Sequence, residues 1–156
     1  MVRQTPDIKL RGYQNMSMKD FAALQDFIEN KIPFNHFLGV KVHSLESGKC
    51  TLTIPYRPEL LGDSRRKAIH GGVLSMLIDT CGGFAVWSMC DLDDRIATID
   101  LRVDYLKPAV ETDLTAEATV KLLGNRVGNA QIIVYPNGKP ETILAEGRGV
   151  YNIRRR

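Results

Sequence analysis

Residues 68–88 read AIHGGVLSMLIDTCGGFAVWS, and they set three chemical features at fixed spacing: a His-Gly-Gly turn at residues 70–72, a carboxylate at Asp79, and an apolar helix that carries both. Gly71 and Gly72 fall at the start of that helix, where backbone N–H groups have no intrahelical acceptor. Without a Cβ, such a turn lets a substrate oxygen approach the backbone closely, and the helix dipole favours negative charge there. These are the requirements of an oxyanion hole. The same glycines also serve a chain that simply enters a helix tightly. Asp79 is the complementary group. A carboxylate inside an apolar helix is costly unless it is paired, hydrogen-bonded or used. As a nucleophile, or as a base for water, it suits attack on a carbonyl.

Spacing decides whether one helix can supply both functions. Asp79 lies seven residues beyond Gly72, about 10.5 Å along a helix. An attacking group must come within about 3–3.5 Å of the carbonyl carbon. One chain therefore cannot bring both to one carbonyl. Two copies of the helix running antiparallel can: Gly72 of one chain then faces Asp79 of the other, and the two-fold axis makes two equivalent sites.

The elements around this helix follow from periodicity. Ser17 followed by Asp20 reads as a helix cap, and Phe21, Leu24, Phe27 and Ile28 recur at helical spacing, so a first helix is expected to end near Asn30. Two strands are expected over 38–46 and 49–56, split by the turn residues ESGK. The loop 57–69 has no period. The segment 71–89 is apolar nearly all round, and such a helix has to be surrounded. Four strands follow, near 99–105, 114–122, 126–135 and 142–153, and they read as a meander in a mostly antiparallel sheet. A single curved sheet wrapped around the helix covers one side, and a second copy of the chain covers the other.

Composition narrows the partners. The chain of 156 residues is 44% apolar and 25% charged, as expected of one globular domain, with residues 1–16 irregular and 17–156 forming the domain. The net charge of +3 sits in the short runs RRK at 65–67 and RRR at 154–156, which read as solvated loop and tail and give no case for nucleic acid. Three cysteines form no CxxC pair, which points to a reducing cytoplasm. No signal-peptide core and no membrane-spanning apolar stretch is found.

The segment HGGVLSMLIDTCGGFAVW, after YRPELLG and before ATIDLRVDYLKPA, resembles the hotdog-fold thioesterase superfamily, in particular its phenylacetic-acid-pathway (PaaI-like) branch. The likeness runs from IPFNHFLGVKV at residue 32 to LAEGRGVYNI, roughly four-fifths of the chain. It implies an α+β hotdog fold: a long central helix wrapped by a curved antiparallel sheet, here with an extra N-terminal helix. It also implies hydrolysis of an acyl-CoA thioester to free acid and CoA. By the resemblance Asp79 is the nucleophile or general base, and the N–H of Gly71 or Gly72 polarises the thioester carbonyl. His70 helps order the turn, and Thr98 on the next strand orients the attacking water. Homodimers that share their sites across the interface, and pair again into homotetramers, are implied too. Many relatives carry an asparagine six or seven residues before the motif histidine; this chain has Asp63 and Ser64 there.

Coenzyme A carries phosphates, so a CoA thioesterase needs cations at its pocket mouth. Arg65, Arg66 and Lys67 lie close to His70 in sequence, Lys107 ends a strand and Arg126 opens another. No motif calls for a metal or redox cofactor; the only coenzyme implied is the CoA of the substrate. His36 and His43 read as structural, Cys81 as packing, and Met76, Phe84 and Trp87 as core. An apolar pocket suits medium-chain or aromatic acyl groups alike. The alternative function is a non-catalytic module that binds acyl-CoA or acyl-carrier protein. A hotdog hydratase is less well matched, since its aspartate-histidine helix–loop motif is not evident.

Overall fold

Ser17 caps the first helix as its sequence predicts. Its hydroxyl accepts the Asp20 N–H at 3.2 Å while the Asp20 carboxylate accepts the Ser17 N–H at 2.9 Å, a reciprocal capping box. Helix α1 (Met18–Asp26) runs on into one widened π-turn over Phe27–Lys31. The computed structural model describes residues 16–156; the irregular segment expected over 1–16 lies, apart from Met16, outside the described residues.

A second helix, α2 (Pro33–Leu38), occupies what the strand pattern assigned in part to β structure. Pro33 sits in its first turn and Gly39 ends it in the left-handed conformation, φ 72°, so the expected strand starts three residues late. Strands β1 (Lys41–Glu46) and β2 (Lys49–Ile54) then form a hairpin. Glu29 ties the π-turn to β1 by accepting the Val42 N–H at 2.9 Å and the Lys41 ammonium at 3.1 Å. The aperiodic loop contains a short 3₁₀ turn and the small hairpin of β3 (Leu61–Asp63) and β4 (Ala68–Ile69). His70 follows directly, and α3 (Gly71–Trp87) is the long apolar helix.

Strands β5 (Arg95–Tyr105), β6 (Leu114–Leu123), β7 (Val127–Pro136) and β8 (Ala145–Arg154) complete an antiparallel six-stranded sheet in the order β1-β2-β6-β7-β8-β5. Only β6, β7 and β8 form the expected meander. β5 lies instead on the far edge, paired with β8. The eight-residue link 106–113 is too long for a tight hairpin. It crosses the N-terminal end of α3, where the Ile69 N–H donates to the Ala109 carbonyl, before β6 enters beside β2.

The inner face of the sheet and one side of α3 make the core, with Leu77, Ile78, Cys81, Ala85 and Val86 fully buried on the helix. Close approach needs glycine on the sheet: a Cβ at Gly147 would overlap the Ile78 side chain. The C-terminal arginines are not simply a solvated tail. Arg155 pairs with the buried Asp94 carboxylate, which also accepts the Arg156 N–H at 3.3 Å. This ion pair and hydrogen bond hold Arg155 and Arg156 against the α3–β5 loop.

Candidate active site

The side of α3 turned away from the sheet is open. Gly72, Ser75, Met76, Asp79, Gly83 and Trp87 line it at helical spacing, as one wall of a cleft of about 800 Å³. Phe27, Ile32 and Phe34 from the N-terminal segment, and Ile96, Thr98 and Leu101 from β5, form the other walls. In the single chain, the second side of the apolar helix is therefore this cleft.

Asp79 is held from two directions. Thr98 Oγ1 donates to Asp79 Oδ1 at 2.7 Å, the length of a charge-assisted bond. Thr98 is aimed by a β-bulge: the register with β8 runs Thr98↔Tyr151 and then Asp100↔Val150, leaving Ile99 as the extra residue. The Tyr151 hydroxyl, in turn, donates to the Asp79 backbone carbonyl at 3.0 Å. Burial, and then the Asp79 charge, push the Tyr151 phenol well above its ordinary range, so it remains a donor. Room for that ring is made by Gly82 and Gly149, where a Cβ would overlap the Tyr151 hydroxyl. Sequence reading missed Tyr151. Its signal is the same-face series Gly147, Gly149, Tyr151 on β8, two small residues and then a large one at strand spacing.

The glycine turn distinguishes its two donors. His70 is the N-cap, and its Nδ1 accepts the Gly72 N–H at 2.8 Å, so the ring carries its proton on Nε2. Among the described residues no acceptor lies within hydrogen-bond reach of the Gly71 N–H. The Gly71 carbonyl accepts the Tyr105 hydroxyl at 3.3 Å. Of the two glycine N–H groups expected at this turn, that of Gly72 is taken by His70, and among the described residues that of Gly71 makes no hydrogen bond.

The expected substrate-binding residues are placed apart from this cleft. Asp63 turns its carboxylate into its own loop, accepting the N–H groups of Arg65 at 3.0 Å and Arg66 at 3.2 Å and pairing with the Arg66 guanidinium at 3.6 Å. Ser64 and Arg65 are exposed in the same turn, and Lys67 pairs with Glu111 at 3.4 Å. This loop and the exposed Lys107 adjoin the N-terminal end of α3, whereas Arg126 sits on the β6–β7 turn at the other end. None of them lines the cleft; Arg95 is the cation that does. His36 and His43 are exposed and away from it. Cys81 packs as expected: its thiol donates to the Cys50 carbonyl at 3.2 Å, and burial holds it well above the usual thiol range. Phe84 is buried in the core and Met76 and Trp87 pack against it, as expected, but all three also line the cleft. Among the described residues, no three His, Cys, Asp or Glu side chains gather as a metal site, and no helix is long and apolar enough to cross a membrane.

A carboxylate bonded by a strand hydroxyl, a helix N-terminus with an unpaired N–H and a largely apolar cleft are the kind of groups a hydrolase of carbonyl substrates uses. Comparison with known proteins agrees. The thioesterase superfamily model matches residues 67–142. A protein of Halobacterium salinarum proposed to be an esterase is 40% identical over 141 residues, 86% of this chain and 92% of that one. The medium/long-chain acyl-CoA thioesterase YigI of Escherichia coli is 30% identical over 135 residues, 78% of this chain and 86% of its own. Among solved structures, a Shewanella oneidensis protein related to the thioesterase superfamily superposes with a TM-score of 0.75 at 25% identity, covering 86% of this chain and 95% of that one. The chain belongs to the thioesterase superfamily and is a thioester hydrolase of hotdog fold.

Proposed function

We propose that the protein hydrolyses acyl-CoA thioesters, with a medium-chain or aromatic acyl group in the apolar cleft. The observation that carries this reading is the fixed Asp79 carboxylate, bonded by Thr98 at the centre of a cleft whose walls are otherwise largely apolar. Asp79 either attacks the thioester carbonyl, expelling the CoA thiolate to leave an acyl anhydride that water then hydrolyses, or takes a proton from an attacking water and returns it to the departing CoA thiolate. Thr98 keeps the carboxylate aligned and can share the attacking water. The Gly71 N–H stabilises the oxyanion, and His70 keeps the neighbouring Gly72 N–H occupied so that the turn holds its shape. The reading needs no cofactor beyond the CoA of the substrate.

Gly71 and Asp79 are eight residues apart on one helix, about 12 Å, so the complete site needs two chains. In a homodimer with antiparallel α3 helices, Gly71 of one chain serves Asp79 of the other. The sheet edge at β5 and the exposed Ile99, Tyr105 and Leu106 supply surface for that contact. Arg65, Arg66, Lys107 and Arg126 then lie around the mouths of the shared sites as phosphate contacts, and pairing of dimers gives the tetramer. The cysteines at 50, 81 and 90 are free and buried, which suits the cytoplasm.

The test is Asp79→Asn, assayed on short, medium, long and aryl acyl-CoAs. It preserves shape and removes the negative charge, so kcat should fall by about 10²–10⁴ while acyl-CoA still binds. Turnover near the native rate makes Asp79 structural and overturns the mechanism. If native and variant proteins both bind acyl-CoA tightly and neither hydrolyses it, the protein is a binding module.

A further inference from the structure

Asp79, Gly83 and Trp87 follow one another at intervals of four, so they form a single stripe along α3, and all three line the cleft. Gly83 places no side chain between the carboxylate and the indole, and the Tyr151 ring, 3.4 Å from where a Gly83 Cβ would stand, walls that stretch of the cleft. The result is a trough beside the helix, with Thr80 turned so that its hydroxyl meets the Met76 sulfur at 3.5 Å. Trp87 is the last helix residue of the wall. Its ring stacks on Phe84 with centroids 5.7 Å apart and an interplanar angle of 8°. Phe27, from the π-turn, meets it edge-on at 5.5 Å. The indole N–H donates to the Asp91 carbonyl at 3.2 Å, which fixes the ring at that end of the cleft. On the other side of Asp79 the helix presents Met76, Ser75 and Gly72. The aromatic end therefore takes the acyl chain, and the end toward Gly72 takes the thioester's other arm.

We propose that this stripe is an acyl-chain ruler, a trough floored by Gly83 and closed by Trp87 that admits a straight saturated chain of limited length. The proposal rests on the thioesterase reading and adds the length. Eight residues of helix from Asp79 to Trp87 span about 12 Å. An extended chain advances about 1.3 Å per carbon, the zigzag projection of a C–C bond of about 1.5 Å. The trough thus holds about nine carbons counted from the carbonyl.

Trp87 is the single tryptophan of the protein, so its emission reports the end of the trough directly. The native protein is titrated with non-hydrolysable S-alkyl-CoA thioethers of increasing chain length, following tryptophan emission and calorimetric Kd together. Each methylene should tighten binding about fourfold until chains of roughly eight to ten carbons, where the gain stops. The emission change should begin at that same length. Gly83→Leu should move the break to shorter chains and Trp87→Ala to longer ones, with circular dichroism showing that each variant is folded. The native titration stands even if a variant does not fold. Emission that is identical for short and long bound thioethers, or a break that neither folded variant moves, overturns the ruler. If acyl-CoAs are hydrolysed in that case, the thioesterase reading stands without it. Failure of every thioether to bind overturns both.

Discussion

Thr98 reaches from β5 to Asp79 on α3 with a hydrogen bond of 2.7 Å, and the bulged Ile99 beside it sets the strand's local aim. Hydrogen bonds to charged groups contribute about 1.5–3 kcal/mol. If this bond is made in the transition state, Thr98→Val should lower kcat by about 10- to 100-fold. Thr98→Ser keeps the hydroxyl and should recover most of the rate. Equal kcat for the native and valine proteins would show that the contact is a bystander.

Tyr151 supports the same residue through its backbone carbonyl, and the glycines around it make a packing prediction. Gly82→Ala drives a methyl into the Tyr151 hydroxyl and should cost about 1–3 kcal/mol by overpacking. In a Tyr151→Phe background, where the hydroxyl is gone, that cost should shrink. Thermal melts of the two single variants and the double variant measure the coupling. Strict additivity would mean that the helix shifts to avoid the ring.

Much of this site is written into local sequence, and the remainder depends on distant contacts. The Ser17–Asp20 box, the glycine turn and the apolar run of α3 are short-range signals, and the structure contains each of them. Thr98 was legible only through the family resemblance, since nothing in its strand pattern points toward Asp79. The position of β5 was not legible: alternation identifies a strand but does not say which strand lies beside it. The same limit hid the cleft. Met76, Phe84 and Trp87 have the composition of core residues, and only the placement of α1, the π-turn and β5 shows which of their faces is left open. Asp63 caps its own turn for a local reason, because an aspartate two residues before a backbone N–H readily does so.

Acid should loosen the N-terminal wall of the cleft first. Partial burial would raise the Glu29 carboxyl, but the Val42 N–H and the Lys41 ammonium outweigh it and hold it below the usual carboxylate value. A carboxyl depressed in the folded state stabilises fully above its unfolded pKa, about 4.3, and loses that contribution as pH falls through the lower folded value. Glu29→Gln should therefore lower stability by about 1–2 kcal/mol at neutral pH. The gap between native and variant proteins should narrow as the pH drops below about 4. Urea midpoints across pH 3–7 check this, and a gap that stays constant with pH would remove Glu29 from the account.

The two glycines of the turn should fail in different ways. At Gly72 a Cβ would lie 2.8 Å from His70 Nδ1, the atom that accepts the Gly72 N–H, so alanine there must displace the cap. Losing an N-cap costs about 1 kcal/mol, and Gly72→Ala should first appear as a lower Tm. At Gly71 the nearest atom to a Cβ is a Tyr105 ring carbon at 3.2 Å, and that ring is half-exposed and able to give way. Gly71→Ala should keep the native Tm. Its methyl stands beside the one N–H of the turn that makes no hydrogen bond among the described residues, where in the proposed mechanism the substrate oxygen enters. Removing an oxyanion donor lowers kcat by about 10²–10³, and a blocked donor should show the same order of loss. Melting curves and steady-state kinetics on both variants separate the roles. A stable, inactive Gly72→Ala beside an active Gly71→Ala would move the oxyanion donor to Gly72.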